Sequence, residues 1–542
     1  MRTQRGFGQT MAIVTVSILL AGIGAAAWAE GLTPAPAAAT PTPPAAVQPT
    51  APTAAKPEQA GANQGQPAAQ PKAAVDRWRG RVQTGEGAND YFDFVVQFTG
   101  GLADKRGTIT IPSQNVRDGK LSKLSVHDKA MNFTFVPDGA PEALGAVFTS
   151  LVRDFDPDSA SGSVLQNGVV YPVELARIQP GEEVAIGPKR PQTPKEPLPY
   201  RTSEIVVSSG SGESAVKLAG TLTLPEAAKF KPPYPAVVFI TGSGPQDRDE
   251  TIFDHRPFAV LADALARAGV ASVRCDDRGV GGSGNIASDP LGQLSTTDDF
   301  ARDALAGVSM LAGNAEIDSK RIGLLGHSEG ALAAAMAAAE QPGSVAFVVM
   351  MAGQGTNGEA VLKQQMRALA IAGGAPMSYV EQVGALQAEL LRLARDKETE
   401  KIRPAIEKLA MAQMGLTGMD QLRAKQKEAL MASLDAQAKA MLAPWMQRWL
   451  ALEPREYLMK VRGRVLVLQG GLDTQVVAAE NVPPIVAALT ASGKAEVTVR
   501  VLPKLNHLLQ PARTGAPDEY ASIEQTMDPA AVQAVVEFVA GR

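Results

Sequence analysis

The sequence predicts an α/β fold: a mostly parallel sheet with helices on both faces and a helical cap insertion, preceded by an all-β antiparallel barrel or sandwich domain. Three observations predict it. Short β-like runs punctuated by Asp-Gly and Asn-Gly pairs fill the stretch from Asp76 to Arg177. From Tyr200 onward, apolar strand runs alternate with segments of helical period. Between Gly355 and about Lys460 that alternation stops, and Leu, Ala and Met recur at helical spacing instead.

At 542 residues the chain exceeds one ordinary domain. Residues 1–29 have the marks of an export signal. Arg2 and Arg5 supply positive charge, Met11 to Gly24 is an apolar run, and Ala27-Trp28-Ala29 before Glu30 fits small-x-small cleavage. The mature chain is expected to begin near Glu30, which implies a periplasmic or secreted protein with no membrane anchor. The alternative is an uncleaved segment that anchors the chain, for which the uncharged run is slightly short. Residues 30–75 are mostly Ala, Pro, Thr and Gln, too poor in large apolar groups to offset the entropy of ordering, and read as a disordered spacer. A net charge of −4 without basic clustering excludes a nucleic-acid footprint. The single cysteine, Cys275, excludes an internal disulfide and a cysteine-built zinc site.

The β domain is expected over residues 76–180. Examples of its strand runs are Phe92 to Phe98, Thr108 to Ile111, Leu121 to Val126, Asn132 to Val136, Val147 to Val152, Gly162 to Gln166 and Val169 to Leu175. It holds no cluster of reactive residues, and docking, orientation and self-association are the roles open to it. Residues 181–199, rich in Pro, Lys and Glu, read as a linker.

The second domain is expected over 200–542, with the cap at 355–460. Ile205 to Ser208 and Val216 to Leu224 read as a leading antiparallel pair, and Ala236 to Ile240 and Ala271 to Cys275 as buried strands. Phe258 to Ala268 reads as an amphipathic helix, and Thr297 to Leu311 as a helix opened by acidic residues. Ala346 to Met351, Val465 to Leu468 and Val497 to Leu502 complete the strands, and a helix from Pro529 to Ala540 closes the chain. The nine methionines of the cap read as helix-packing residues, with an acyl-pocket lining as the functional alternative.

The chemistry centres on Gly326-His327-Ser328-Glu329-Gly330, where an apolar run meets an alanine-rich segment. Strand, sharp turn and helix in that order hold a serine at the apex of a tight turn. A serine hydroxyl needs a base, and the base needs an orienting acid. Of the four histidines, His127 lies in the β domain and His327 adjoins the serine inside the turn. His255 follows the Gly242 loop, and His507 follows the last strand. Loops after parallel strands converge on one edge of the sheet, so His507 is the preferred base and His255 the runner-up. Asp473, in the glycine turn after Val465 to Leu468, is the acid; taken alone it reads as a surface turn residue. An oxyanion needs backbone donors: the amide of Glu329, and that of Ser243 or else Gly244 from the loop after Ile240. Asp276, Asp277 and Arg278 read as an ion-paired turn, and Cys275 as a buried strand residue.

Four blocks then carry a resemblance: Ile240-Thr241-Gly242-Ser243-Gly244-Pro245-Gln246-Asp247-Arg248-Asp249, Asp277-Arg278-Gly279-Val280-Gly281-Gly282-Ser283, Gly326 to Gly330, and the Asp473 and His507 loops. Together they resemble an α/β-hydrolase of the serine esterase type, most of all bacterial esterases of the EstD type, which also place a β domain first. The chain is similar to serine aminopeptidase-like hydrolases as well. The resemblance implies Ser328, Asp473 and His507 as a triad, a small-molecule ester of short chain as substrate, and no cofactor or metal. A peptidase or amidase, and a noncatalytic binding protein working through the β domain, are the alternatives.

Overall fold

In the computed structural model, residues 75–541 are described apart from 85–90, 101–104, 115, 128, 138–144, 167–168, 183–188, 212–214, 284–294 and 423. The expected export signal and all but the last residue of the expected spacer lie outside the described residues.

Eight antiparallel strands form a closed barrel: β1 (Asp76–Gln83), β2 (Tyr91–Thr99), β3 (Arg106–Ile111), β4 (Val116–His127), β5 (Ala130–Phe135), β6 (Ala146–Arg153), β7 (Asp156–Gln166) and β8 (Val169–Arg177). Pairing of β1 with β8 closes it, which settles barrel over sandwich. β1 is absent from the sequence reading because it looks charged: three arginines point outward while Trp78, Gly80 and Val82 face in. Gly80 is required there, since an added Cβ would lie 2.1 Å from the Phe94 ring. Phe94, Phe98, Phe133 and Phe148 fill the interior, with Phe133 and Phe148 stacked at 4.6 Å. Side chains pack such a small barrel solid.

The second domain is built on an eight-stranded sheet. Its strands are β9 (Arg201–Ser209), β10 (Val216–Leu224), β11 (Tyr234–Ile240), β12 (Ala271–Cys275), β13 (Ile317–His327), β14 (Phe347–Met351), β15 (Gly463–Gly470) and β16 (Ala495–Leu502), in the order 16-15-14-13-11-12-10-9. β11 to β16 run parallel, and β10 joins antiparallel to β12 and β9. Apart from the edge strand β16, the parallel strands are buried on both sides over most of their length, so they read as continuous apolar runs rather than alternating ones. Helices α1 (Pro257–Arg267) and α11 (Pro529–Ala540) cover one face. Helices α2 (Thr297–Ala312), α3 (Glu329–Glu340) and α10 (Ala478–Ala491) cover the other.

The insertion between β14 and β15 is helical throughout its regular elements: α4 (Gly358–Ala372), α5 (Met377–Arg395), α6 (Thr399–Gln413), α7 (Ala424–Met441), α8 (Pro444–Ala451) and α9 (Pro454–Leu458). Met411, Met441 and Met446 are buried among these helices, and Met366, Met414 and Met419 pack against them. The described part of the linker is docked rather than free. The Arg190 guanidinium donates to the carbonyls of Phe253, Ala521 and Ile523 at 2.6–3.0 Å. Gln192 accepts from the amides of Thr526 and Met527.

Candidate active site

Five strand-to-helix or strand-to-loop turns meet at the carboxyl ends of β11, β12, β13, β15 and β16, as the geometry of a parallel sheet dictates. At the end of β13 the chain turns at Ser328, whose φ of 55° lies in the left-handed region. A non-glycine residue is strained there, by about 1–3 kcal/mol, and persists only where its surroundings fix it. They do so here: a Cβ on Gly326 would sit 2.0 Å from the Gly330 carbonyl oxygen, and one on Gly330 2.3 Å from that of Ile240. Only glycine allows strand, turn and helix to approach so closely. The Ser328 amide donates to the Met351 carbonyl at 2.9 Å, which ties the turn to β14.

His507 lies in the loop after β16 and is buried. Its Nδ1 is 2.8 Å from Oδ2 of Asp473, itself buried in the turn after β15. Asp473 is held from every side: Gln475 and Val476 donate their amides to Oδ1, and Gln469 Nε2 donates to Oδ2, each at 2.8 Å. A carboxylate fixed this way orients the imidazole and leaves Nε2 for proton transfer. Ser328 and His507 line one cleft, together with Gly242 and Ser243. No described hydrogen bond joins Ser328 Oγ to His507 Nε2, although both residues line this cleft.

Two of the other histidines, His255 and His127, lie outside the cleft. His255 is fully buried, with Nδ1 3.0 Å from Thr526 Oγ1 and Nε2 3.1 Å from the Tyr520 carbonyl. Burial, helped by the Arg190 charge, pushes its pKa down to about 4. It does not line the cleft. His127 ends β4, in the barrel.

Among the expected oxyanion donors, the amides of Ser243 and Glu329 take part in no described hydrogen bond, and Ser243 lines the cleft. Gly244, at φ 89°, does not line it. The Gly242 amide is already engaged, donating to Glu250 Oε1 at 2.8 Å. The Thr241 to Gln246 loop is pinned from below by Asp277, which accepts from Thr241 Oγ1 at 2.6 Å and the Gln246 amide at 2.9 Å. The Asp276 to Arg278 turn is ion-paired at its two ends, to Arg248 and Asp303, while Asp277 serves as this loop anchor. Cys275 is half-buried, and burial pushes its thiol up to about 12, which removes it as a nucleophile at neutral pH.

Three groups escape sequence reasoning because their partners lie far along the chain. His327 is buried beside Ser328, with Nδ1 2.9 Å from Glu250 Oε1 and Nε2 3.0 Å from the His507 carbonyl. Burial alone would lower its pKa; the Glu250 carboxylate and these hydrogen bonds outweigh burial and raise it. The pair thus ties the serine turn, the Gly242 loop and the His507 loop together. Glu329 is a buried carboxylate that accepts from Ser243 Oγ, Thr297 Oγ1 and Trp445 Nε1 at 2.5–3.0 Å. Burial raises its pKa against these donors. Trp445 stacks on Trp449 at 5.5 Å, and Trp449 Nε1 donates to Gln354. Both rings line the cleft, and no methionine does among the described residues. The only sequence signal for the cap wall is the i, i+4 spacing of these tryptophans on α8. Among the described residues no cluster of His, Cys, Asp and Glu could hold a metal ion.

Residues 255–510 match the family model described as serine aminopeptidase, S33. The chain is 34% identical over 115 residues to Esterase EstD of Thermotoga maritima, a stretch covering 21% of this chain and 26% of that protein. The chain thus spans about a quarter of the length of that curated relative. Among solved structures it is similar to a Pyrococcus furiosus esterase, at 16% identity and a TM-score of 0.38 over 67% of this chain and 97% of that one. It is also similar to a dienelactone hydrolase from Anabaena variabilis, at 15% identity and a TM-score of 0.31 over 63% and 96%. The parallel sheet and the strained serine turn give the second domain an α/β-hydrolase fold, and its residues 255–510 are similar to serine hydrolases.

Proposed function

We propose that this chain is an exported serine hydrolase that cleaves short-chain carboxylic esters through Ser328, His507 and Asp473. The observation that carries the proposal is the 2.8 Å Asp473–His507 bond in the same cleft as the strained serine. His507 Nε2 takes the Ser328 hydroxyl proton as Oγ bonds to the ester carbonyl carbon. The resulting oxyanion is met by the amides of Glu329 and Ser243. Collapse breaks the bond to the alkoxy oxygen, which leaves as alcohol with the proton from His507. Water then adds to the acyl-enzyme by the same route and releases the acid.

An ester is favoured over a peptide amine by the charges in the cleft. Among its described lining residues the one carboxylate is Glu250, and His327 offsets it. An aminopeptidase needs an uncompensated anion for the substrate ammonium. Short acyl groups are favoured because Trp445 and Trp449, held by Glu329 and Gln354, form a rigid wall.

The test runs p-nitrophenyl acetate and butyrate beside aminoacyl p-nitroanilides. Wild type is expected to turn over the esters, and Ser328→Ala to lose that turnover while keeping its circular dichroism and melting temperature. Ester hydrolysis by Ser328→Ala at the wild-type rate, or hydrolysis of the anilides alone, overturns the proposal. Export predicts a mature protein whose N-terminal sequence begins near Glu30.

A further inference from the structure

Helix α4 turns one face inward, made of Gly358, Val361, Leu362 and Gln365 at spacings of three, four and seven. That is the apolar stripe of an amphipathic helix, and its last position is a glutamine. Gln365 is only 3% exposed and lines the same cleft as Ser328. None of the described hydrogen bonds involves its side chain. Other buried glutamines make at least one side-chain hydrogen bond, although among the described residues Gln387 Oε1 and Gln469 Oε1 have no partner. Gln354 accepts from Trp449 Nε1, Gln387 donates to the Leu362 carbonyl, and Gln469 donates to Asp473 and the Val476 carbonyl. Across the cleft, Gln475 donates to the Tyr520 hydroxyl, and the other atom of its amide has no described partner. The Gln365 amide is not sealed off: it opens on the cleft with both polar atoms left to whatever occupies it, whereas leucine or methionine would fill the same position without that capacity.

We infer that Gln365 is a specificity-determining residue whose amide binds a hydroxyl or carbonyl group on the substrate limb under the cap. The substrate class is therefore an ester carrying a hydrogen-bonding group, rather than a plain alkyl ester. The inference rests on the ester-hydrolase reading and deepens it. An amide can donate to a carbonyl and both donate to and accept from a hydroxyl, so the two chemistries share one subsite. A site built to hydrogen-bond a substrate group rejects the isostere that lacks it, because its own polar atoms are left unpaired.

Two isosteric pairs test this, one on each side of the ester. p-Nitrophenyl 3-hydroxybutyrate is compared with p-nitrophenyl 3-methylbutyrate, and 2-hydroxypropyl butyrate with 2-methylpropyl butyrate. Wild type is expected to prefer the hydroxy member of at least one pair by about tenfold in kcat/KM, the size of one well-made hydrogen bond. Gln365→Met, which keeps the volume, is expected to bring that ratio to about one. If Gln365→Met fails to fold, Gln365→Asn, which shortens the reach, is expected to lower the same ratio. Hydrolysis of both members of both pairs at equal rates by wild type overturns the inference and leaves the esterase reading standing. A preference that persists in the folded variant also overturns it. No hydrolysis of any of the four esters overturns the esterase reading itself.

Discussion

Truncating Glu250 tests how the site is held together. Its Oε1 accepts from both the Gly242 amide and His327 Nδ1, at 2.8 and 2.9 Å, and the residue is 4% exposed. The His507 carbonyl can only accept, so His327 Nε2 carries a proton toward it. Nδ1 carries a second proton toward the carboxylate, and the arrangement suits an imidazolium. Each hydrogen bond to a charged group is worth about 1.5–3 kcal/mol, and breaking a buried pair costs about 3–5 kcal/mol. Glu250→Ala is expected to lose that much stability. It also frees the loop carrying Ser243, and one misplaced oxyanion donor costs about 10²–10³ in kcat. Glu250→Gln keeps the Gly242 bond but cannot stabilise the imidazolium, so its losses fall between wild type and Glu250→Ala. The pH dependence follows from the raised pKa of His327. A cation held above its ordinary value of about 6.5 contributes fully below that pH, and its contribution is lost as pH rises through the folded value. Glu250, His507 and Asp473 are the titratable groups acting on His327. Wild-type stability is therefore expected to fall above pH 6.5, and Glu250→Gln to lose that dependence. The assay is urea denaturation and kcat on p-nitrophenyl butyrate from pH 5 to 9. A Glu250→Ala enzyme with wild-type kcat, or an unchanged pH profile in Glu250→Gln, would refute the reasoning.

Three further predictions use the same measurements. Asp473→Asn keeps the acceptor for the Gln475 and Val476 amides but turns an N–H toward His507 Nδ1, so kcat is expected to drop about 10⁴-fold in a folded protein. Glu329 has a folded-state pKa raised by burial, so the wild type should lose stability relative to Glu329→Gln as pH climbs from about 4.5. Denaturation at pH 4.5, 6 and 8 measures this, and a relative gain with pH would contradict it. Arg190→Ala leaves three carbonyls without their donor and is expected to cost about 2–4 kcal/mol in denaturant unfolding, with kcat on the folded enzyme preserved.

Much of the second domain is legible in the sequence because its signals are local. Parallel strands buried on both sides give apolar runs such as Val465 to Leu468, and turn residues after them mark the sheet edge. Ser328, Asp473 and His507 stand out as candidates for the same reason: each follows a strand, and strand ends converge. What the sequence hides is long-range. Glu250 lies 77 residues from His327, and Glu329 lies 116 from Trp445, with no periodicity to link either pair. β1 is hard to read because its outward arginines mask an inward Trp78. Six of the nine cap methionines pack helix on helix while Met377, Met431 and Met459 are exposed, and the cleft wall comes instead from two tryptophans on α8 and from α4.

The central claim is that Ser328 is the nucleophile. Labelling the purified mature protein with a fluorophosphonate probe and mapping the modified peptide tests it most directly. One adduct is expected, on Ser328, absent from Ser328→Ala and strongly slowed in His507→Ala. No adduct on folded wild type, or an adduct on another residue that persists in Ser328→Ala, would contradict it.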